Sequence, residues 1–150
     1  MDWTSCHKEP LKSRYGCRKR STGGQRCDPW DNRSGRSPDD YRGFIRGSKA
    51  EFAIPKSGYV AARCGWFSDR SVCYLASGRP VVAQETGFSD YLPTGRGLFA
   101  FESAAEAAEQ IRHLNADYDS HARASRRLAA EFFDSDKVLR RLLRLVGVAP

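Results

Sequence analysis

Gly65-Trp66-Phe67-Ser68-Asp69-Arg70-Ser71-Val72-Cys73-Tyr74-Leu75-Ala76-Ser77-Gly78-Arg79-Pro80-Val81-Val82-Ala83-Gln84-Glu85-Thr86-Gly87-Phe88 reads as loop, helix, tight turn, strand and loop. Ser68 is placed to cap a helix, Asp69 complements the positive end of its dipole, and Val72, Leu75 and Ala76 share one face. Gly78 suits the left-handed position just past a helix end, and Pro80 forbids the helix from resuming. Pro80 to Ala83 is therefore expected to begin a short, continuously apolar strand. A helix leading into such a strand is half of a βαβ crossover, the unit of parallel sheets that take ligands at the carboxyl ends of their strands. Gln84-Glu85-Thr86-Gly87 lies at such an end.

Toward the C-terminus, Gly97 to Phe101 is a second apolar strand, and Ser103-Ala104-Ala105-Glu106 a capping box in which hydroxyl and carboxylate satisfy each other's amides. Ala104, Ala107, Ala108, Ile111 and Leu114 follow at helical spacing. A further helix from about Tyr118 to Phe133 buries Tyr118, Ala122, Ser125, Ala129 and Phe132. A last one, begun by Asp134 or Ser135, carries Val138, Leu139, Leu142, Leu143 and Val146. All three stripes are read as core packing.

Toward the N-terminus, Ser37-Pro38-Asp39-Asp40 has the hydroxyl cap, first-turn proline and acidic first turn of a helix start. Tyr41, Phe44 and Ile45 give that helix its apolar face, and Gly47 ends it. Glu51 to Ile54 is a strand stopped by Pro55, and Pro55 to Phe67 a loop in which Tyr59 to Ala62 fit a brief strand. The expected architecture is α/β, a Rossmann-like parallel sheet of three strands ending in several helices.

Residues 1 to 36 are different. They hold nine Lys or Arg and four Asp or Glu, a net of +5 out of the chain's +7, and their apolar residues show no period. They read as a basic, disordered arm ahead of a domain at 37–150. No stripe of cations and aromatics runs through that domain, so nucleic acid is not an expected partner. The five cysteines, Cys6, Cys17, Cys27, Cys64 and Cys73, include no closely spaced pair and read as reduced thiols. Cys6, His7, Cys17 and Cys27 lack the spacing of a zinc site, and no metal is expected. Cys73 reads as a small buried hydrophobe. His7, His113 and His121 lie away from the candidate site, so no catalytic role is given to them. With neither a membrane span nor a secretory leader in sequence, the expected location is the cytoplasm.

The loop Gly65 to Ser68 feeding a helix start, with Arg70 in the first turn, suits a diphosphate, because free amides, dipole and guanidinium converge there. Glu85 can accept from hydroxyls, Thr86 can donate, and Gly87 lets a ligand approach the backbone.

Leu75-Ala76-Ser77-Gly78-Arg79-Pro80-Val81-Val82, Glu85-Thr86-Gly87-Phe88, Gly95-Arg96-Gly97 and the alanine-rich helix after them together resemble the C-terminal nucleotide-sugar-binding domain of GT-B-type glycosyltransferases. The resemblance runs from about Tyr41 to Leu143. It implies a donor-binding part of a glycosyltransferase, with a nucleotide-diphosphate sugar as substrate, an unidentified acceptor and no further cofactor. It also implies that Gly65, Trp66, Phe67, Ser68 and Arg70 meet the diphosphate, that Glu85, Thr86, Gly87 and Phe88 meet the sugar, and that Lys56 helps neutralise the leaving group. Many relatives have paired glutamates where this chain has Gly65 and Cys73, and neither residue can hold a ribose. The family needs a second Rossmann-like domain, for which 150 residues leave no room, so the chain reads as a fragment that would require a partner or missing N-terminal domain. The alternatives are a nucleotide-binding remnant without catalysis and an interaction or nucleic-acid-binding protein acting through the basic arm.

Overall fold

The computed structural model describes residues 37–148. The arm and the Cys6, His7, Cys17 and Cys27 grouping therefore lie outside the described residues. Chain order is α1 (Pro38–Gly47), β1 (Glu51–Ala53), α2 (Ser57–Ala62), α3 (Asp69–Ala76), β2 (Val81–Gln84), β3 (Leu98–Phe101), α4 (Ala104–Ala116), α5 (Tyr118–Phe132) and α6 (Ser135–Leu145). The three strands form one parallel sheet in the order β1-β2-β3, with Val81 opposite both Glu51 and Leu98. The fold is α/β and Rossmann-like, as the alternation of elements predicts.

Strand alternation divides the core. Ala53, Val81, Ala83 and Leu98 face one way and pack with Ile45 of α1, Tyr74 and Leu75 of α3 and Leu128 and Ala129 of α5. Val82, Phe99 and Phe101 face the other way, onto Ala107 and Leu114 of α4. β2 is the central strand and its first three residues are buried, which is why it reads as an unbroken apolar run.

Backbone chemistry places the ends. Ser37 accepts from the Asp40 amide at 3.1 Å, and Asp134 accepts from the amides of Asp136 and Lys137. Gly78, at φ +68°, closes α3, where its amide donates to the Leu75 carbonyl. Arg79, the next residue of the turn, donates to the Tyr118 hydroxyl and the Arg46 carbonyl, tying the turn to α5 and α1. Gly97 has no room for a side chain. A Cβ there would lie 2.4 Å from the Ser125 amide nitrogen of α5, and its φ is +78°.

Several expectations need correction. Tyr59 to Ala62 belong to helix α2 and not to a strand, because Arg63 takes the left-handed conformation and donates its amide back to Val60. α3 buries Ser71, Tyr74 and Leu75, which turns Ala76 and Cys73 outward; Cys73 is exposed. The large Tyr74 ring claims the core and sets that rotation. Ser68 makes no side-chain cap, since the Asp69 carboxylate accepts from the Arg70 amide at 2.7 Å instead. In α4, Ala107 and Leu114 are buried while Ala104, Ala108 and Ile111 are not, and Glu106 accepts from the Glu102 amide and not from that of Ser103. α5 buries His121, Ala124, Ser125, Leu128 and Ala129, leaving Tyr118, Ala122 and Phe132 half-buried. The stripe on α6 is not core: none of its residues is buried. Ile54 lies beyond β1 and is exposed.

His121 stands edge-on to Phe99 at 5.0 Å and 5.1 Å from the His113 ring, and its Nδ1 has no partner among the described residues. Burial first, then His113 and Arg96, hold its pKa below the ordinary 6.5, outweighing Asp117 and the His113 carbonyl. A depressed imidazole pKa gives stability that is complete above the unfolded value and lost as pH falls through the folded one. Urea unfolding between about pH 7.5 and pH 5 should show that decline, and His121→Gln should flatten it. Equal slopes in both proteins would remove His121 as the cause.

Gly97→Ala should cost about 2–5 kcal/mol in urea unfolding, from left-handed strain and overpacking together. Gly95→Ala, with φ +92° and nothing within 4 Å, should cost only the strain, about 1–2 kcal/mol. Equal losses would mean that the approach of α5 to Gly97 contributes nothing.

Candidate functional site

The carboxyl ends of the three strands open onto Ile54-Pro55-Lys56, Glu85–Phe88 and Glu102-Ser103. The loop Arg63–Ser68 returns beside them before α3. Two hydrogen bonds join this loop to the one after β2: the Gly65 amide donates to the Thr86 carbonyl at 2.7 Å, and the Thr86 hydroxyl to the Trp66 carbonyl at 2.6 Å. Gly87 makes the approach possible, because a Cβ there would meet the Arg63 carbonyl oxygen at 2.8 Å. Thus Gly65, Trp66, Thr86 and Gly87 are brought together. Thr86 is 1% exposed, with its hydroxyl turned to the neighbouring loop, and the space beside Gly87 is filled by backbone and not open to a ligand.

Glu85 is buried, and its Oε1 accepts from the amides of Thr86 at 2.9 Å and Gly87 at 2.5 Å. Burial pushes its pKa up, but the Ser89 hydroxyl and the amides of Gly87, Ser89 and Thr86 outweigh it and hold the carboxyl below its ordinary value. It therefore stays ionised and organises its own loop. Phe88 is 2% exposed and packs on Phe67, which also stacks on Phe133. Trp66 is different: it stacks on Tyr59 at 5.1 Å yet remains 38% exposed, a flat aromatic face at the rim of the edge.

At the start of α3 the Asp69 carboxylate already serves the Arg70 amide, and Ser68 is buried beneath it. Arg70 does not stand free. Its Nε donates to Glu51 Oε1 at 2.6 Å, and that carboxylate is buried and opens β1 at the opposite end of the sheet. The pairing, more than the opposing effect of burial, raises the arginine pKa, and Glu51 Oε2 has no partner among the described residues. Lys56 is exposed at the N-terminus of α2.

Two residues at this edge escaped the reading of the sequence. Arg63 is the non-glycine residue with positive φ (+42°) among the described residues, and it pairs with Glu102, after β3, at 3.3 Å. The partners lie 39 positions apart, so no local pattern announces them. Both are well exposed, and such a pair opens at little cost. Between Ala53, Pro55, Trp66, Ser68, Gln84 and Phe88 there is a recess of about 10 Å³, room for about one water. A larger groove of about 280 Å³ lies between α3 and α5, but Val72, Ala76, Ala129, Ala130 and Phe133 make it apolar, with Arg126 and Asp134 as its charged lining. Any polar ligand of the strand ends must lie across an open edge.

Thr86→Val should remove the hydroxyl and leave the Trp66 carbonyl unpaired, costing about 1–3 kcal/mol in urea unfolding and raising the polarity around Trp66 in its fluorescence spectrum. An unchanged midpoint and an unshifted emission would show that the two loops do not depend on this bond.

Among the described residues no helix is long and apolar enough to cross a membrane. No curated protein and no solved structure shows a significant match to the chain. A family model described as "Glycosyl transferase-like" matches residues 8–144, from within the basic arm to the end of α6. That span covers nearly the whole sequence and includes every loop of the strand edge described above. The chain belongs to the glycosyl transferase-like family.

Proposed function

We propose that this chain is the donor-binding part of a GT-B-type glycosyltransferase and that a nucleotide-diphosphate sugar lies across the carboxyl edge of the sheet. The observation that carries the reading is the joining of the Gly65–Trp66 and Thr86–Gly87 loops, which sets Trp66 beside the start of α3. Trp66, backed by Tyr59, offers a stacking face for the base. The diphosphate would draw on the α3 amides, Lys56 and Arg63, the last exchanging Glu102 for phosphate. Arg70 is not among these groups, because its guanidinium is held by Glu51 at the opposite end of the sheet. These groups would stabilise the negative charge that develops on the leaving diphosphate. Asp69 opposes an anion at the helix start and would have to turn aside.

One observation favours a binding module without catalysis for this chain alone. The carboxylate of Glu85, nearest the expected sugar, is held by its own loop and stays ionised, so its oxygen is already in use. The acceptor and any general base would then come from another domain or chain.

Calorimetric titration with uridine, guanosine, adenosine and cytidine diphosphates and their glucose conjugates tests the reading. One nucleotide should bind, and Trp66→Ala should weaken it roughly tenfold or more through lost stacking. Arg63→Gln should weaken it similarly, with little change in stability because only a surface pair is lost. Arg70→Ala is a poor probe, since it strands the buried Glu51 carboxylate and destabilises the fold. Silence across the panel from a folded sample would overturn the proposal.

A further inference from the structure

Helix α6 is well formed and oriented, yet its apolar side faces outward. Asp134 caps it, and Lys137 Nζ donates to the Ala130 carbonyl of α5 at 2.8 Å. Val138, Leu139, Leu142, Leu143, Leu145 and Val146 are 37 to 76% exposed. At about 100° per residue these six fall within one arc, roughly 160° wide. Lys137, Arg140, Arg141 and Arg144 occupy the opposite arc, with Asp136 as the single acid.

The charge decides what can cover this face. Residues 1 to 36 carry a net of +5, the same sign as the helix, so they bring no counter-charge to it. A second α6 packed on the apolar face would leave the cationic arcs of both helices on the outer sides, without counter-charge. Residues 118 to 148 as a whole hold seven Lys or Arg and four Asp or Glu, so the surroundings do not neutralise the helix. An anionic lipid surface satisfies both arcs at once: leucines enter the boundary between headgroups and acyl chains, and cations meet the phosphates.

We propose that α6 is an in-plane anchor that docks this chain reversibly on an anionic membrane surface. The inference does not depend on the nucleotide reading. Flotation of the full chain with vesicles of phosphatidylglycerol and phosphatidylcholine, beside vesicles of phosphatidylcholine alone, tests it. The chain should partition to the anionic vesicles, and added salt should weaken the binding. Leu139→Ser with Leu142→Ser should weaken it at least tenfold while leaving the circular dichroism and melting temperature unchanged, because neither side chain is buried. Arg140→Gln with Arg144→Gln should weaken it roughly thirtyfold, a second readout that keeps the apolar face intact. Three results would each overturn the proposal: no partition to anionic vesicles, partition unchanged in both variants, or a dimer in sedimentation velocity that the leucine variant dissociates.

Discussion

Everything in this fold hangs on β2 being apolar on both faces. It is the strand with neighbours on either side, and Val81, Val82 and Ala83 are 0, 2 and 5% exposed. Such a strand cannot satisfy its side chains with one layer, so α3 and α5 must cover one face and α4 the other. Covering both faces in turn fixes the position of the loop after it. Glu85 to Phe88 leaves the sheet between two layers, which is why a glutamate there is buried and must find its partners in backbone amides.

That same burial decides how the candidate site differs from an open phosphate cradle. A phosphate cradle needs unclaimed amides and unclaimed cations. Here Asp69 has claimed an amide at the start of α3, Glu51 the Nε of Arg70, and Glu102 the guanidinium of Arg63. The three carboxylates are not equivalent. Glu51 is buried and bound to its arginine, whereas Asp69 and Glu102 are at the surface, where solvent screens the attraction. An anion arriving at this edge therefore competes most easily for Arg63 and the helix start. The residue whose involvement rests on resemblance, Arg70, is the one most firmly engaged elsewhere.

The parts of the fold legible in sequence are those where one residue type has one physical use. Ser37 before Pro38, Gly78 before Pro80, and an unbroken valine pair each admit few alternatives, and the elements they predict are present. Choices settled by tertiary contact were not legible. The eight-residue α3 has apolar residues on nearly every side between Val72 and Ala76, and the larger Tyr74 ring chose the buried face over Cys73. Short α2 shows no period, and its end rests on the unusual φ of Arg63, a residue that carries no sign of it. α6 has the strongest apolar stripe of all, yet periodicity reports that a face exists and not what covers it. At the site, Glu85, Thr86 and Gly87 were singled out for their chemistry toward a ligand. What the chain alone could not reveal is that Glu85 turns back on its own loop and that Thr86 and Gly87 face the neighbouring one, the latter depending on two segments some 20 residues apart meeting.

Strand order carries a consequence for how the chain assembles. Val81 pairs with Leu98, 17 positions later, and with Glu51, 30 positions earlier. For flexible segments the entropy of closure grows with the logarithm of length, so the second contact costs about 0.5 kcal/mol more than the first. The later pairing also brings Gly97 under α5, and with it the Ser125 hydroxyl that lies within 3.0 Å of the Gly97 carbonyl. β2 and β3 are thus the more local strand pair, whereas the contact of α5 with Gly97 closes over 28 positions, nearly as many as separate β1 from β2. With three residues paired along one side alone, β1 has the shortest ladder of the sheet, and its hold on the rest leans on the buried Glu51 carboxylate and its arginine.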